Sequence, residues 1–397
     1  MTDRQDRRLR AGRYVAQPTG YRAFMPASMP PEPPLEFDGA MQVLLSRADQ
    51  ALGRLDGAIQ TLPDADMFVF MYVRKEAVLS SQIEGMQSSL HDVLAAEAEL
   101  ASADTPRDVG EVLNHVRAVN LGMRLLPTLP VSVRLVRELH RELLTGVRGQ
   151  ERSPGEPRTS QNWIGAGGVS LSEASFVPPP PHAVAAALGE LERFIHAEDD
   201  LPVLVKIGLA HAQFETIHPF LDGNGRVGRL LIALLLAERG VLLRPVLYLS
   251  HYFRQHRSAY YEALQATRDS GDWEGWITFF LRAVGEVAVE ATGTARAIVD
   301  LRERHRLAIG NDLGRSAASG LRVLESLYRR PIVSVADVRA VTGTTYQAAN
   351  DVVARLEGIG VLHEITGQVR HRRFRYDDYV DLFAEDRRLI PNQKPIV

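Results

Sequence analysis

Apolar residues recur every three to four positions along most of the chain, and this spacing predicts a mainly α-helical protein. Helical segments are predicted at residues 38–55, 64–90, 112–126, 131–144, 184–196, 201–217, 225–235, 245–266 and 273–289. Residues 146–181 lack this period, and two short extended pieces around a glycine-rich turn predict one β-hairpin there. Residues 1–36 are also poorly periodic, and the proline-rich run at 25–34 predicts an extended arm lying along the helices.

The C-terminal part of the chain shows a different pattern from the helical body. Residues 292–315 are polar and rich in arginine, so we expect an extended helix or a linker. Short elements follow, with helices predicted at 321–328, 334–341 and 345–359 and strands at 361–365 and 372–376. A helix, a helix-turn-helix pair and a hairpin in this order predict a winged-helix domain. The predicted domains are an N-terminal arm and helical segment (1–104), a helical core (105–300) and a linker helix with the winged helix (301–390).

Composition excludes several classes of protein. The chain has 397 residues, enough for about two or three domains, and its net charge of −3 gives no overall attraction to nucleic acid. It has no cysteine, which excludes disulfides and thiolate metal sites. No apolar run is long enough to span a bilayer, and the charged N-terminus lacks the apolar segment of a secretion signal. We therefore expect a cytoplasmic protein without a membrane partner.

The stretch with the most chemistry is residues 218–229, His-Pro-Phe-Leu-Asp-Gly-Asn-Gly-Arg-Val-Gly-Arg. Pro219 disfavours the helical conformation at the residue before it, so the preceding helix is predicted to end at His218. The next helix begins near Gly225, and its first amides have no partner within the helix. Glycines on both sides of Asn224 let a ligand approach the backbone closely. The loop therefore predicts an anion-binding site of the kind that holds phosphates.

The side chains of the same stretch suit a polyphosphate and a reacting hydroxyl. Arg226 and Arg229 are three residues apart on one helix face, and guanidinium groups match phosphate oxygens. Asp222 offers a carboxylate beside the anion site, which suits Mg²⁺ bridging phosphates. His218 can take a proton from a hydroxyl near neutral pH. Together they predict phosphoryl-group chemistry, in which His218 activates a hydroxyl that attacks a bound phosphate.

This stretch resembles the signature of the Fic-domain adenylyltransferases, with every defining position filled. The resemblance implies a Fic helical core with a β-hairpin flap, and transfer of AMP from ATP to a Ser, Thr or Tyr hydroxyl of a protein, the chain itself included. It implies that His218 is the general base and that Asp222 holds Mg²⁺. The residues implied to bind ATP are Gly223, Asn224, Gly225 and Arg226 for the α- and β-phosphates and Arg229 for the γ-phosphate.

Residues 80–85, Ser-Ser-Gln-Ile-Glu-Gly, match the inhibitory motif of Fic proteins, with Ser80, Glu84 and Gly85 at its defining positions. We predict that the motif lies within a helix on the N-terminal side of the core. Gly85 costs such a helix about 1 kcal/mol relative to alanine, which we attribute to a close approach to the backbone beside Glu84. A Glu84 carboxylate that pairs with Arg229 would occupy the guanidinium that the γ-phosphate needs. The alternative is a solvated helix carboxylate with a local partner.

Several further features have both a functional and a simpler structural interpretation. The hairpin at residues 158–178 occupies the position of the flap that pairs with a target segment in Fic proteins, or is an ordinary surface hairpin. Tyr260 resembles the tyrosine that flanks the nucleoside pocket in relatives, or packs in the core. His211 pairs with His218 on a metal, or is a packed histidine. The arginine-rich wing at 370–375 suits DNA phosphates, or its domain mediates protein contacts.

The preferred function from the sequence is therefore an auto-inhibited protein adenylyltransferase that uses ATP and Mg²⁺ and forms a homodimer. One alternative is a DNA-binding transcription regulator whose core senses nucleotides. Another is a hydrolase that removes AMP from proteins with a water directed by Glu84. A complete His218 site disfavours a pure sensor, because sensing needs no base.

Overall fold

The computed structural model describes residues 9–18, 20–60, 65–100, 105–165 and 169–384. The chain is mainly helical, as the sequence predicts. The helices are α1 (Gly39–Gln60), α2 (Ala65–Ile83), α3 (Leu90–Glu97), α4 (Val109–Leu125), α5 (Val133–Leu144), α6 (Pro181–His196), α7 (Val203–Ile217), α8 (Asn224–Glu238), α9 (Ser250–Gln255), α10 (Arg257–Ser270), α11 (Trp273–Asp312), α12 (Ala317–Leu327), α13 (Val335–Thr342), α14 (Tyr346–Gly358) and α15 (Asp377–Val380). The strands are β1 (Gly12–Ala16), β2 (Arg22–Pro26), β3 (Ile332–Ser334), β4 (His363–Glu364) and β5 (Arg373–Arg375). Within these described ranges, no helix combines the length and the apolar character needed to cross a membrane.

The described residues fall into two compact units. The first unit comprises those within Met1–Asp56, Glu76–Ser88 and Pro106–Val289, and the second those within Gly57–Lys75, Ser89–Thr105 and Glu290–Val397. Both sequence motifs, at 80–85 and at 218–229, belong to the first unit. The three domains predicted from the sequence stay a prediction. The predicted start of the second helix near Asp64 lies outside the described residues.

Helix α7 is the centre of the first unit. Every residue from Leu204 to Ile217 is buried, so the helix is surrounded by protein on all sides. It packs against α6 and α8, and α8 also packs against α4 and α5. Gly208 lets α11 approach, because a Cβ there would lie 2.9 Å from Ile277 and 3.0 Å from Phe280. Helix α7 therefore holds the loop after Ile217 on a rigid base.

Strands β1 and β2 form an antiparallel pair in the region that the sequence predicts to be an extended arm. Tyr14 pairs with Phe24 across the two strands, and the Phe24 amide also donates to the Val177 carbonyl at 2.9 Å. The sequence pattern indicated only a poorly periodic arm here, and these two strands were missed. Aromatic and β-branched residues on both sides of Pro18 and Gly20 are typical of a hairpin, but strands this short show little periodicity.

The described residues between 146 and 181 contain much less β-structure than the predicted hairpin. One antiparallel bridge joins Ile164 and Phe176. A single 3-10 turn, Leu171–Glu173, lies between them. The glycine-rich turn predicted at 167–168 lies outside the described residues.

Two helical boundaries differ from the predicted ones. The segment predicted as one helix at 245–266 forms α9 and α10, which are separated at His256. The segment at 292–315, predicted as a helix or a linker, continues the preceding helix, so that α11 extends over 40 residues. Buried Ile298 and Leu301 supply apolar positions that the polar composition of this segment concealed.

The second unit shows the element order predicted for the C-terminal domain. Helices α12, α13 and α14 are followed by β4 and β5, and a further strand, β3, precedes α13. The three strands form one antiparallel sheet in the order β3-β5-β4. Gly343 has a positive φ of 67° and ends α13, which turns the chain into α14. Strand β3 was missed because only Ile332–Ser334 form it.

Candidate active site

The loop between α7 and α8 places His218 at the end of a buried helix. Helix α7 ends at Ile217, and the His218 amide donates to the Phe214 carbonyl at 2.9 Å. The prediction that the helix ends at the histidine is confirmed. The His218 backbone is left-handed, with φ 48° and ψ 61°, rather than extended. This conformation costs a non-glycine residue about 1–2 kcal/mol, so neighbouring contacts must offset it.

The start of the predicted hairpin supplies those contacts. The Arg158 side chain donates to the His218 carbonyl at 2.9 Å, and the Arg158 amide donates to the Pro219 carbonyl at 2.8 Å. The Asn162 side chain donates to the Phe220 carbonyl at 2.8 Å. A guanidinium at the C-terminal end of a helix satisfies carbonyls that have no partner within the helix. Sequence analysis assigned no role to Arg158, because its partners are backbone atoms about 60 residues away in the chain.

Two side chains fix the shape of the loop from inside. Asn224 accepts a hydrogen bond from the Phe220 amide and donates to the Phe220 carbonyl, both at 2.8 Å. The His140 ring stacks on Phe220, with centroids 3.7 Å apart. His140 Nδ1 accepts from the Gly155 amide at 2.8 Å, so its Nε2 carries the proton and donates to the Asp222 carbonyl at 3.0 Å. Burial lowers the pKa of His140 to about 4, which keeps this ring neutral.

The start of α8 holds a carboxylate of the protein itself. Gly223 precedes the helix with a positive φ of 76°, and its amide donates to the Asp222 side chain at 2.6 Å. A Cβ at Gly225 would overlap an oxygen of Glu84 and lie 3.2 Å from the Glu84 carboxyl carbon. The Glu84 carboxylate therefore lies on the backbone of the first turn, where unpaired amides and the helix dipole favour negative charge. Glycine at this position lets an anion approach closely, as the sequence predicts.

Arg229, one turn further along α8, holds Glu84 in this place. Its Nη2 donates to Glu84 Oε1 at 2.8 Å, and its Nε donates to the Ser80 hydroxyl at 2.8 Å. Desolvation opposes ionisation of Glu84, but the Arg229 charge outweighs this effect and holds the Glu84 pKa below its ordinary value. Burial likewise opposes the Arg229 charge, but the Glu84 carboxylate raises the Arg229 pKa. Both groups are therefore ionised at neutral pH.

The predicted inhibitory motif lies at the end of α2 rather than inside a longer helix. Helix α2 ends at Ile83, and the next amides fold back onto the Ser81 and Gln82 carbonyls in the pattern of a Schellman cap. Gly85 has φ 89°, and nothing lies within 4 Å of the position of a Cβ. We predicted that Gly85 lies inside a helix and is needed because another group approaches the backbone closely. Both parts of this prediction were wrong. Gly85 is needed because the chain turns there in the left-handed region.

Arg226 and Arg229 extend from α8 toward different partners. The Arg226 side chain is buried between Glu111 of α4, at 3.3 Å, and Asp222, at 3.5 Å. The observed contacts of Arg226 connect α4 to the loop. A contact of Arg226 with ATP phosphates stays a prediction. The Asp222 side chain is 39% exposed. One accessible carboxylate beside phosphates suits Mg²⁺, which keeps several of its waters. Among the described residues, no group of three or more His, Asp or Glu could hold a metal by itself.

The His218 imidazole is neutral in this environment. Its side chain is 19% exposed. Burial and the positive charges of Arg268 and Arg158 lower the His218 pKa to about 4. Arg268 is fixed by hydrogen bonds of 3.2 Å to the Thr216 hydroxyl and to the Glu215 carbonyl. A neutral imidazole can accept a proton, and an anionic phosphate beside it would raise its pKa toward neutrality.

Two family models match the chain in the regions that form this site. The model described as Fic/DOC family N-terminal matches residues 42–124, which contain Glu84. The model described as Fic/DOC family matches residues 130–236, which contain His218 and the whole loop.

The chain contains a Fic/DOC domain, preceded by a Fic/DOC N-terminal region.

Curated Fic relatives resemble part of the chain. A protein adenylyltransferase Fic of Drosophila ananassae is 31% identical over 173 residues, which are 42% of this chain and 31% of that protein. A probable protein adenylyltransferase of Aquifex aeolicus is 44% identical over 69 residues, 17% of this chain and 22% of its own. The chain thus spans about a third or less of the length of these relatives. A crystal structure of a Fic family protein from Desulfovibrio desulfuricans shares the fold, with a TM-score of 0.57 and 20% identity over 86% of this chain and 97% of that one.

Tyr260 lies in the core of this Fic protein rather than at its surface. Its hydroxyl bonds to His211 Nε2 at 2.9 Å, and His211 Nδ1 donates to the Gly228 carbonyl at 2.9 Å. Tyr260 and His211 are both buried in the core, which is the simpler interpretation of each residue. A nucleoside contact by Tyr260 stays a prediction that this geometry does not favour. The neighbouring Tyr261 is 39% exposed.

Proposed function

We propose that this Fic protein is an auto-inhibited protein adenylyltransferase, which transfers AMP from ATP to a Ser, Thr or Tyr hydroxyl of a protein. The observation that carries the proposal is the Glu84 carboxylate, which lies on the Gly225 backbone and pairs with Arg229. A site that stabilises a carboxylate with amides and a guanidinium can stabilise a phosphate in the same place. A neutral His218 beside it supplies the base. The names of the Drosophila ananassae and Aquifex aeolicus relatives support the same activity.

The proposed reaction is an in-line displacement at the α-phosphorus of ATP. His218 accepts the proton of the attacking hydroxyl, whose oxygen forms a bond to the α-phosphorus. The bond from this phosphorus to the oxygen bridging the β-phosphate breaks, and pyrophosphate leaves. The residues proposed to hold the α- and β-phosphates are Gly223, Asn224 and Gly225 through their amides, with Arg226 beneath them.

Arg229 and Asp222 prepare ATP for this displacement. Arg229 binds the γ-phosphate once Glu84 has left it, and thereby aligns the α-phosphorus with His218. Asp222 would hold Mg²⁺, which supplies charge neutralisation on the phosphates. While Glu84 occupies Arg229, ATP can bind only with its γ-phosphate misplaced. This competition is the proposed auto-inhibition.

The target protein is proposed to dock at residues 158–178. Arg158 and Asn162 tie the start of this segment to the His218 turn, so a target strand added along it would bring a hydroxyl to the base. Main-chain pairing of this kind fixes register and demands little of the target sequence. We retain a homodimer and a cytoplasmic location as proposals from the sequence analysis.

A second candidate function is DNA binding by the second unit. Its elements follow the winged-helix order, and Tyr346 and Gln347 are exposed at the start of α14. Arg370 is exposed near the tip of the hairpin, but Arg375 pairs with Asp377, which reduces the charge offered to phosphates. Fluorescence anisotropy with duplex DNA over a salt series tests this proposal. Affinity that falls steeply with salt supports it, and no binding at low salt removes it.

The transferase proposal is tested by incubating the purified chain with α-labelled ATP and Mg²⁺. The variants are the parent, Glu84→Gly and Glu84→Gly/His218→Ala. We expect strong labelling of protein by Glu84→Gly, weak labelling by the parent and none by the double variant. Mass spectrometry of the chain and of lysate proteins then locates AMP on a hydroxyl. Release of AMP from a labelled target would support the hydrolase alternative, and no labelling by Glu84→Gly would refute the transferase.

A further inference from the structure

Glu215 lies one turn before His218 on α7. It is 6% exposed, and its Oε2 is 4.0 Å from His218 Nδ1. Within the described part of the chain, His218 Nδ1 and Glu215 Oε1 are buried atoms without a hydrogen-bond partner. Buried polar atoms are almost always bonded, so the ring nitrogen and the carboxylate oxygen both require an explanation. The unpartnered Oε1 lies against Gly228, Oε2 is the oxygen nearer the ring, and the Glu215 backbone also raises the His218 pKa.

The neighbouring helix makes room for this carboxylate. Gly228 of α8 lies against Glu215, and a Cβ there would overlap Oε1 and lie 3.3 Å from the carboxyl carbon. Glycine inside a helix costs about 1 kcal/mol relative to alanine. An incompletely paired carboxylate in the interior is a further cost. Helix α7 therefore places an energetically unfavourable Glu215, and helix α8 an unfavourable Gly228, at the same point near His218.

We propose that Glu215 is the positioning residue of His218. Its carboxylate accepts the Nδ1 proton of the imidazole, so that the unprotonated Nε2 faces the hydroxyl of the target. When Nε2 takes the hydroxyl proton, the same carboxylate stabilises the imidazolium, and no proton moves to Glu215. The 4.0 Å separation exceeds a hydrogen bond by about 1 Å, so the proposed bond requires the Glu215 side chain to move toward the ring. This inference deepens the proposed function and rests on it.

Charged and titratable groups on several neighbouring elements face this pair. They are Glu84 at the end of α2, Arg158 in the segment before Ile164, Arg229 on α8, and Tyr260, Tyr261 and Arg268 on α10. Burial raises the pKa of Glu215 to about 7, Arg229 and Arg268 lower it, and Glu84 raises it. Departure of Glu84 therefore favours the ionised form of Glu215.

The kinetic test measures AMP transfer in the Glu84→Gly background, with Glu215→Gln, Glu215→Asp and Gly228→Ala added separately. Glu215→Gln should lower kcat about 100-fold, since the imidazolium loses its counter-charge. The KM for ATP should change less than about twofold, because no ATP contact is altered. The kcat of the Glu84→Gly parent should rise with pH as Glu215 ionises, and this inflection should vanish in Glu215→Gln. Glu215→Asp should keep the inflection and part of kcat, whereas Gly228→Ala should displace the carboxylate and resemble Glu215→Gln.

Glu76→Gln is the matched control. Glu76 is another carboxylate whose pKa burial raises to about 7, but its oxygen bonds to the Ser250 amide at 3.1 Å. We expect Glu76→Gln to leave kcat and its pH dependence unchanged. Long-range proton–nitrogen NMR of histidine-labelled protein at about pH 8 gives a readout that needs no activity. It should show the His218 proton on Nδ1 in the parent and a shift toward Nε2 in Glu215→Leu.

Two results would overturn the inference. The first is a Glu215→Gln variant, folded by circular dichroism, with unchanged kcat and pH profile. The second is an unchanged His218 tautomer in Glu215→Leu. If Glu84→Gly transfers no AMP at all, the proposed function fails by itself, and the NMR result still decides whether Glu215 holds the Nδ1 proton.

Discussion

Replacing Glu84 by glutamine tests the proposed auto-inhibitory contact with the smallest change in shape. The parent side chain gives Arg229 a charged partner at 2.8 Å and is 34% exposed. Exposed ion pairs contribute about 0–1 kcal/mol and buried ones more, so a partly exposed pair should contribute about 1–2 kcal/mol. Since 1.4 kcal/mol is about a factor of ten, removing the charge should favour productive ATP binding about 5- to 30-fold.

The assay is AMP transfer at ATP concentrations below the KM, combined with thermal unfolding. The Glu84→Gln rate should rise by that factor, and the Tm should fall because Arg229 loses its charged partner. Glu138→Gln is the matched control, since Glu138 is exposed and pairs with Arg141 on the same helix. The AMP-transfer rate and the Tm of Glu138→Gln should equal those of the parent.

The lowered Glu84 pKa also fixes the pH range of the contact. A carboxylate whose folded pKa is below its ordinary value of about 4.3 contributes stability above that value. This contribution is lost only as the pH falls through the lowered pKa, so inhibition should persist at every physiological pH. A Glu84→Gln variant with parental rate and Tm would refute the reasoning. A lower Tm without a gain in rate would keep the ion pair but reject its competition with ATP.

Four further expectations follow from the loop and its surroundings. Asn224→Ala removes both bonds to Phe220 and should destabilise the protein by about 2 kcal/mol in urea unfolding; an unchanged midpoint would contradict this. Arg158→Met should lower kcat at least about tenfold by freeing the His218 turn, with ATP affinity by calorimetry retained. Asp222→Asn should raise the Mg²⁺ concentration for half-maximal rate about tenfold or more, measured by metal titration. Because burial raises the folded pKa of Glu76 to about 7, its ionisation destabilises the fold, so parental stability should fall as pH rises from the ordinary pKa of about 4.3 to about 7 and level off above it. Glu76→Gln should remove about 1–3 kcal/mol of that fall in urea unfolding.

The motif at 218–229 could be located from the sequence because the residues that shape it are close together in the chain. Pro219 ends one helix, glycines open the turn, and the next helix starts within a few residues. The long amphipathic helices were predicted for the same reason, since their period is contained within each segment. The contacts that hold the loop were not predictable in this way. Arg158 and His140 bond to backbone atoms on distant segments, and no sequence spacing marks such bonds.

Glycine signals were the main source of error. Gly85 is consistent both with a helix interior and with the residue after a helix end, and apolar positions continue past it, which concealed the end of α2. The missed pair of strands, β1 and β2, has only 5 residues in each strand. Glu215 had no local signal at all, because its importance depends on Gly228, which only folding brings against it.

Glu84 is the residue that caps the end of α2, and this position has a consequence for control. The last turn of α2 is held by side-chain bonds from Arg229 to the Ser80 hydroxyl at 2.8 Å, from Arg254 to Gln82 at 2.9 Å and from Arg257 to the Ile83 carbonyl at 3.2 Å. Helix ends open locally at a small fraction of the free energy of global unfolding. Withdrawing the carboxylate therefore requires one turn to fray, not a rearrangement of whole domains. A partner that captures the frayed turn would keep Arg229 free and thereby raise the proposed AMP transfer.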